Sequence, residues 1–94
     1  MRFAYLIMAH NSFELLKELI GALDSQENDL YIHFDAKLHE VDTSQFLSIP
    51  QHSNLYFITD RVNVSWARIS IVEATLNLLE ASIDKGYDYY HLLS

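Results

Sequence analysis

Two uninterrupted apolar runs of strand length constrain the fold of this 94-residue chain more than any other feature. The first covers residues 3–9, and the second covers residues 30–34 and ends at Asp35, close to Lys37. Both runs are short for a helix, and neither alternates apolar with polar residues, so each predicts a strand buried on both faces. Such strands are typical of parallel sheets in α/β proteins, where helices cover the sheet.

A helical pattern lies between these two runs. Asn11 and Glu14 have the spacing of a capping box, so we expect a helix to begin there with Asn11 as its N-cap. The apolar residues that follow recur at helical spacing, and they are Phe13, Leu16, Ile20 and Leu23. A strand, a crossover helix and a second parallel strand are therefore predicted, with a right-handed connection.

The second half of the chain predicts further elements of the same kind. Short apolar runs at residues 55–58 and 87–93 are interpreted as two more strands, and residues 42–47 as a short helix that ends before Pro50. A longer helix is predicted from about Trp66 to a stop at Lys85 and Gly86. We expect its sheet-facing residues to be Ile69, Val72, Leu76, Leu79 and Ile83.

These elements predict an α/β fold with an open parallel sheet of about four strands and helices on both faces. Residues 1–94 are interpreted as a single α/β domain, because no linker, repeat or low-complexity segment divides them. The final strand predicted at residue 93 has nothing after it but Ser94, so we expect this domain to be the N-terminal part of a longer protein.

Composition excludes several classes of function. Six basic residues against 13 acidic residues give a formal charge of −7, which argues against a nucleic-acid partner. The chain has no cysteine, so thiolate chemistry and disulfides are impossible and a reducing compartment is expected. Neither a signal peptide nor an apolar run of about 20 residues is present, so we expect no membrane span and a cytoplasmic location.

The usual motifs for nucleotides and hydrolysis are missing. With only Gly21 and Gly86, the chain cannot contain the glycine-rich dinucleotide turn or a P-loop. No Gly-x-Ser-x-Gly elbow occurs either, which argues against nucleophilic hydrolysis. Any nucleotide must therefore be held in another way.

Asp35 is the first candidate for a ligand contact. Ligands of open α/β sheets bind at the carboxyl ends of the strands, and Asp35 stands at such an end. The alternative is that Asp35 only caps the loop that follows the strand, because aspartate is a common loop starter. Position alone does not decide between the two.

Two other arrangements of polar residues are weighed against structural roles. His10, His33 and Asp35 could converge on a transition metal, but a histidine within an apolar strand is more often a hydrogen-bonded core residue, which we favour. Trp66 lies at the predicted start of the long helix, where free backbone N–H groups could hold a phosphate between Arg61 and Arg68. The alternative, which spacing favours, is that Trp66 packs on the sheet edge and both arginines are solvated.

Four ordered blocks of sequence resemble one known family. They are the residues 3–11, 30–37, 61–66 with 72–79, and 89–94. Together these blocks resemble the start of the core-2/I-branching β-1,6-N-acetylglucosaminyltransferases, glycosyltransferase family 14, which includes the xylosyltransferases. The resemblance covers essentially the whole chain, and it implies the N-terminal, nucleotide-binding half of a GT-A-type fold.

The resemblance also implies roles for individual residues. Asp35 is expected to recognise the uracil of a UDP-sugar, and Ile7 and His10 to line the base and ribose. Asn63 and Trp66 are expected to border the donor pocket. Members of this family transfer sugar with inversion and typically without a metal or other cofactor, and their catalytic glutamate lies beyond the part that this chain resembles.

Two hypotheses follow. The first is the UDP-sugar-binding part of an inverting N-acetylglucosaminyltransferase-like enzyme that acts on a glycan acceptor, without activity of its own. Its setting would be surface polysaccharide or glycan synthesis by a bacterial enzyme, in the cytoplasm or at the inner face of the membrane. The alternative is a non-catalytic flavodoxin-like or receiver-like interaction module. Whether the chain forms a homo-oligomer is left open.

Overall fold

A computed structural model describes residues 1–38, 40–64 and 68–93. The described elements, in chain order, are β1 (Phe3–Ala9), α1 (Phe13–Leu23), β2 (Asn28–Phe34), a 3₁₀ turn (Ala36–Leu38), α2 (Ser44–Leu47), β3 (Leu55–Phe57), α3 (Arg68–Ser82) and β4 (Tyr89–Leu93). The two uninterrupted apolar runs of the sequence are thus β1 and β2. Within the described parts of the chain, no helix is long and apolar enough to cross a bilayer.

The four strands form one sheet in the order β3-β2-β1-β4, and every pair of neighbours is parallel. The predicted open parallel sheet is therefore confirmed, and it is consistent with the N-terminal half of a GT-A-type fold. The chain adds β2 and β3 on one side of β1 and then crosses back to add β4 on the other. This reversal makes the gap between β1 and β4 the topological switch point of the sheet.

Helices cover both faces of the sheet because β1 and β2 are apolar on both. One core joins α1 and Phe46 of α2 to the side chains of Ile7 and Ile32. The other joins α3 to Leu6 and Tyr31, which point to the opposite face. Successive strand residues point to opposite sides, so continuous apolar strands supply both cores at once.

The start of α1 differs by one residue from the prediction. Ser12 is the N-cap, and its hydroxyl oxygen accepts a hydrogen bond from the N–H of Leu15 at 3.2 Å. Asn11 instead turns its side-chain oxygen to the N–H of Ser12, at 2.6 Å. Both residue types favour the N-cap, and the hydroxyl of Ser12 is the one that reaches the third helical N–H.

The predicted sheet-facing side of α3 is wrong in part. Val72 and Leu76 are 53 and 56% exposed, and Ile83, at 60%, lies just beyond the helix, whereas Ala74 and Leu78 are fully buried against the sheet. Leu79, also predicted to face the sheet, is half-buried and packs against the same core as Ala74 and Leu78. Apolar residues occur on two sides of this helix, so spacing alone could not select the buried one. The predicted core position Ile69 has no described side chain.

Gly86 adopts a φ of +80°, as a left-handed stop requires, but it lies four residues beyond the end of α3 at Ser82. The described part of α3, 15 residues and about 22 Å long, ends before the predicted stop at Lys85. Other bounds shift slightly: β3 ends at Phe57, β4 begins at Tyr89, and α2 begins at Ser44. Asp42, expected inside α2, instead accepts a hydrogen bond from the N–H of Ser44 at 3.1 Å.

Candidate functional site

Polar residues gather where β1 and β2 end, and we call residues 9–12, 35–38 and 61–64 together the carboxyl edge. The N–H of Asp35 donates to the carbonyl oxygen of Ala9 at 2.9 Å, which continues the pairing of β1 with β2 by one residue. His10 therefore stands beside Asp35. The N–H of Ala36 donates to the carbonyl oxygen of Val62 at 3.0 Å and joins residues 61–64 to the same edge.

Asp35 is buried, with 3% of its surface exposed, and its carboxylate binds the two neighbouring loops together. Oδ1 accepts the N–H groups of Lys37 at 3.0 Å and of Val64 at 3.2 Å. Oδ2 lies 3.2 Å from the ammonium of Lys37. The loop-capping role that the sequence left open is thus present in the structure.

These contacts control the charge of Asp35. Burial by itself would raise the pKa of the carboxyl group, but hydrogen bonds from Lys37 and Val64 outweigh it, and the pKa is lowered. The group is therefore an anion at neutral pH, which is the form that only accepts hydrogen bonds.

Two cations stand at this edge of an acidic protein. Arg61 donates through Nε to the carbonyl oxygen of Phe34 at 2.9 Å and through Nη2 to that of Asp35 at 2.6 Å. Lys37 contacts the carbonyl oxygen of Val64 as well as Asp35. Arg61 is half-buried rather than solvated, so the solvated interpretation of this residue is wrong. Its role was not visible in the sequence, because the carbonyl groups that it binds belong to a strand 26 residues away.

A shallow pocket of about 120 Å³ lies at the switch point between β1 and β4. Ile7 lies at its floor within the α1 core, His10 lies at its rim, and Leu93 of β4 closes one side. The carboxyl end of β1 thus separates this pocket from Asp35. The pocket lies on the α1 face, whereas the side chain of Asp35 points to the α3 face, so a ligand of nucleotide size would have to pass over the carboxyl end of β1 to reach both places.

The predicted site residues are distributed as follows. His10, Asp35 and Asn63 meet at the carboxyl edge, where His10 and Asn63 are exposed. Ile7 is only 3% exposed and points toward α1, so a ligand could reach it only through the pocket. Trp66 lies outside the described residues.

The histidine–aspartate cluster does not have the geometry of a metal site. His33 is fully buried, and its Nε2 accepts the N–H of Val62 at 2.8 Å, so this nitrogen is already engaged. Among the residues that the structure describes, no three histidine, aspartate or glutamate side chains are grouped to hold an ion. The interpretation of His33 as a hydrogen-bonded core residue is confirmed.

A parallel half-sheet with a switch-point pocket and an ionised aspartate at the next strand end is compatible with many nucleotide-binding proteins. The fold alone does not say to which of these families the chain belongs, whereas sequence comparison does. A sequence model of the family Core-2/I-branching enzyme matches residues 3–94. The chain belongs to this family. The resemblance noted from the four sequence blocks is confirmed, and the family is one of glycosyltransferases. No match is found among the curated proteins.

Proposed function

We propose that this chain is the donor-binding part of an inverting glycosyltransferase, and that a UDP-sugar lies across the carboxyl end of β1 with its uracil at Asp35. The observation that carries the proposal is the ionised, nearly buried carboxylate of Asp35 beside a pocket at the switch point. Membership of a glycosyltransferase family supports a sugar nucleotide as the ligand. His10 and Asn63, which are exposed on either side of Asp35, are the polar groups proposed to contact it.

The proposal predicts a preference for uracil. Uracil N3–H can donate to Asp35, whereas cytosine presents an acceptor at that position, which would meet the negative charge with a lone pair. An unpaired buried polar group costs about 1–3 kcal/mol, so UDP should bind about five- to a hundredfold more tightly than CDP.

Calorimetry of the 94-residue chain with UDP and CDP measures this ratio. Asp35→Asn should abolish the preference, because an amide can offer a donor to cytosine. Asp24→Asn is the matched control: Asp24 also accepts backbone N–H groups, from Gln51, His52 and Ser53, but it follows α1 at the opposite edge of the sheet. The UDP-to-CDP affinity ratio of Asp24→Asn should equal that of the wild type.

Two outcomes would contradict the proposal. Equal UDP-to-CDP ratios in the wild type and in Asp35→Asn would mean that Asp35 only caps its loop. Absence of UDP binding at any pH would favour the alternative, a non-catalytic α/β interaction module.

The finer parts of the proposal concern chemistry and setting. We propose that UDP binds equally well in EDTA and in Mg²⁺ or Mn²⁺, and that the 94 residues do not transfer sugar, because the resemblance puts the catalytic base beyond them. Turnover of a UDP-sugar by the purified chain would contradict the second statement. N-acetylglucosamine as the donor sugar, a glycan acceptor and a cytoplasmic or inner-membrane-face role in bacterial surface polysaccharide synthesis complete the proposal. Competition of UDP-N-acetylglucosamine with other UDP-sugars tests the choice of sugar.

A further inference from the structure

A buried histidine, His33, is hydrogen-bonded to the carboxyl edge. His33 lies two residues before Asp35 on β2, so their side chains point to the same face of the sheet. His33 Nε2 accepts the N–H of Val62 at 2.8 Å, and an accepting nitrogen carries no proton. The neutral ring therefore carries its proton on Nδ1, which is buried and has no hydrogen-bond partner among the described residues.

Val62 belongs to a segment, residues 61–64, that is fastened to β2 and to the turn after it. Arg61 binds the carbonyl oxygens at the end of β2, and the carbonyl oxygen of Val62 accepts the N–H of Ala36. The N–H of Val64 binds the carboxylate of Asp35. The bonds from Val62 to His33 and to Ala36 together fix the residue just before Asn63, so the bond to His33 contributes to where Asn63 lies.

We propose that His33 is a positioning residue for the donor: its neutral ring holds Val62 and so fixes Asn63 and the Val64 N–H relative to Asp35. This inference rests on the proposed function, since the segment matters for binding only if the donor lies at the carboxyl edge. It makes donor binding depend on the protonation of a residue that the donor does not touch.

Protonation of His33 would put a hydrogen on Nε2, directly opposite the N–H of Val62. Two donors then face each other, and the bond is lost. The charged groups around the ring are Asp35 on β2, and Asp60 and Arg61 in the segment after β3. Met8 opposite it on β1 and the sheet-facing residues Ala74 and Leu78 of α3 carry no titratable group.

Burial lowers the pKa of His33, and this effect, together with the charge of Arg61, exceeds the opposite effects of the backbone of His33 and of the carboxylates of Asp35 and Asp60. The folded pKa is thus below the ordinary value of about 6.5, so the bond is intact above that pH and is lost as the pH falls through the folded pKa. Asp35 remains ionised over this range because its own pKa is lowered.

Nuclear magnetic resonance of the ¹⁵N-labelled wild-type chain without ligand tests the contact itself. Imidazole ¹⁵N shifts at pH 8 should report the Nδ1–H form of His33. The exchange protection factor of the Val62 amide should fall about tenfold per pH unit once the pH is below the His33 pKa. The Ile58 amide, which donates to the carbonyl oxygen of Ile32 at 2.9 Å, is the internal control and should stay protected. An Nε2–H form, or a Val62 amide that stays protected while His33 titrates, would overturn the inference.

Calorimetry with UDP tests the consequence for binding. Wild-type affinity should fall about three- to tenfold as His33 is protonated, which is the loss expected of one hydrogen bond. His33→Gln can supply a neutral oxygen acceptor to Val62. The affinity of this variant for UDP should therefore change with pH only through the ionisation of UDP itself. Dividing the wild-type affinity by that of the variant removes this contribution. A constant ratio across the pH range in which the imidazole ¹⁵N shifts show His33 to titrate would overturn the inference. His33→Leu, which lacks an acceptor, should bind weakly at every pH.

The two proposals can fail separately. If the Val62 amide loses protection as His33 is protonated but UDP binds at no pH, the contact is supported and the proposed function is contradicted. If UDP binds with a preference that depends on Asp35, while the protection of Val62 does not change as His33 titrates, the proposed function is supported and the positioning role is contradicted.

Discussion

Asp29 and Asp35, the buried carboxylates at the two ends of β2, have different partners. Asp35 binds two backbone N–H groups and the ammonium of Lys37, whereas Asp29 binds one backbone N–H, that of Asn54 at 3.1 Å, and two side chains. Asp29 Oδ2 accepts the hydroxyl of Tyr87 at 2.6 Å and lies 2.8 Å from the guanidinium of Arg2, which also stacks over the Tyr87 ring. The hydroxyl of Tyr87 is also 2.9 Å from that of Tyr31. This end of β2 is a structural network rather than a ligand site.

The network predicts a specific loss in Tyr87→Phe. Burial, together with donation to Asp29, raises the pKa of Tyr87 far above its usual value, so the hydroxyl remains a donor. Its removal takes one partner from Asp29 and one from Tyr31, and should lower the free energy of unfolding by about 1–3 kcal/mol. Urea denaturation measures it. Tyr89→Phe is the control, because Tyr89 is exposed and its ring would keep its stacking on Phe3, so the change should stay within about 0.5 kcal/mol. Equal losses of unfolding free energy in Tyr87→Phe and Tyr89→Phe would show that the network does not stabilise the fold.

Asp24 predicts a dependence of stability on acid pH. The N–H groups of Gln51 and Ser53, then that of His52, outweigh partial desolvation and lower the pKa of Asp24 to about 2. The ordinary value is about 3.9, so the contribution is complete above about pH 4 and is lost as the pH falls toward about 2. The difference in urea midpoint between wild type and Asp24→Asn should therefore shrink over this range. If the difference in urea midpoint stays constant from pH 5 to 2, the ionised carboxylate of Asp24 does not stabilise the fold.

Among the helices, α3 has its apolar residues on two sides. Ala74, Leu78 and Ser82 face the sheet, and Asn77 donates to the carbonyl oxygen of Asp60 near the end of β3. Val72 and Leu76 lie on another side and are exposed, as is Ile83 just after the helix. Small residues at positions 74 and 82 let the helix lie close to β1 and β2, which explains why the sheet selects this side.

A pair of substitutions tests the orientation of α3. Leu78→Ala removes a fully buried side chain and should lower the free energy of unfolding by about 2–5 kcal/mol. Leu76→Ala, at a 56% exposed position, should change it by no more than about 0.5 kcal/mol. Both variants gain the same favourable helix propensity, so urea denaturation isolates packing. A larger loss in Leu76→Ala would mean that the helix faces the sheet as the sequence pattern predicted.

In the molecule as a whole, the sheet separates two cores. The buried residues of the α1 core and those of the α3 core form two sets without a common member. Substitutions in different cores should therefore act independently, as expected for sites that share no partner.

Ile20→Val in the α1 core and Leu78→Ala in the α3 core test this separation. Their effects on the free energy of unfolding should add to within about 0.5 kcal/mol in the double variant. A coupling above about 1 kcal/mol would show that β1 and β2 transmit repacking from one face to the other. Chemical denaturation of the four proteins completes the cycle.

The sequence by itself determined the architecture. Continuous apolar runs of strand length are typical of a parallel sheet that is covered on both faces, so β1 and β2 were predictable, as were the crossover helix and the family. Asp35 was placed at a strand end by the same reasoning. These features depend on residues that are close together in the chain, where local spacing carries the information.

Tertiary structure alone decided the rest. Which side of α3 is buried depends on the shape of the sheet, since both sides are apolar. Besides the nearby Lys37, Asp35 binds Val64, and His33 binds Val62, each 29 residues away, and backbone N–H groups leave no signal in a sequence. A backbone donor is the same in every residue but proline, so only the fold determines which one a buried side chain meets.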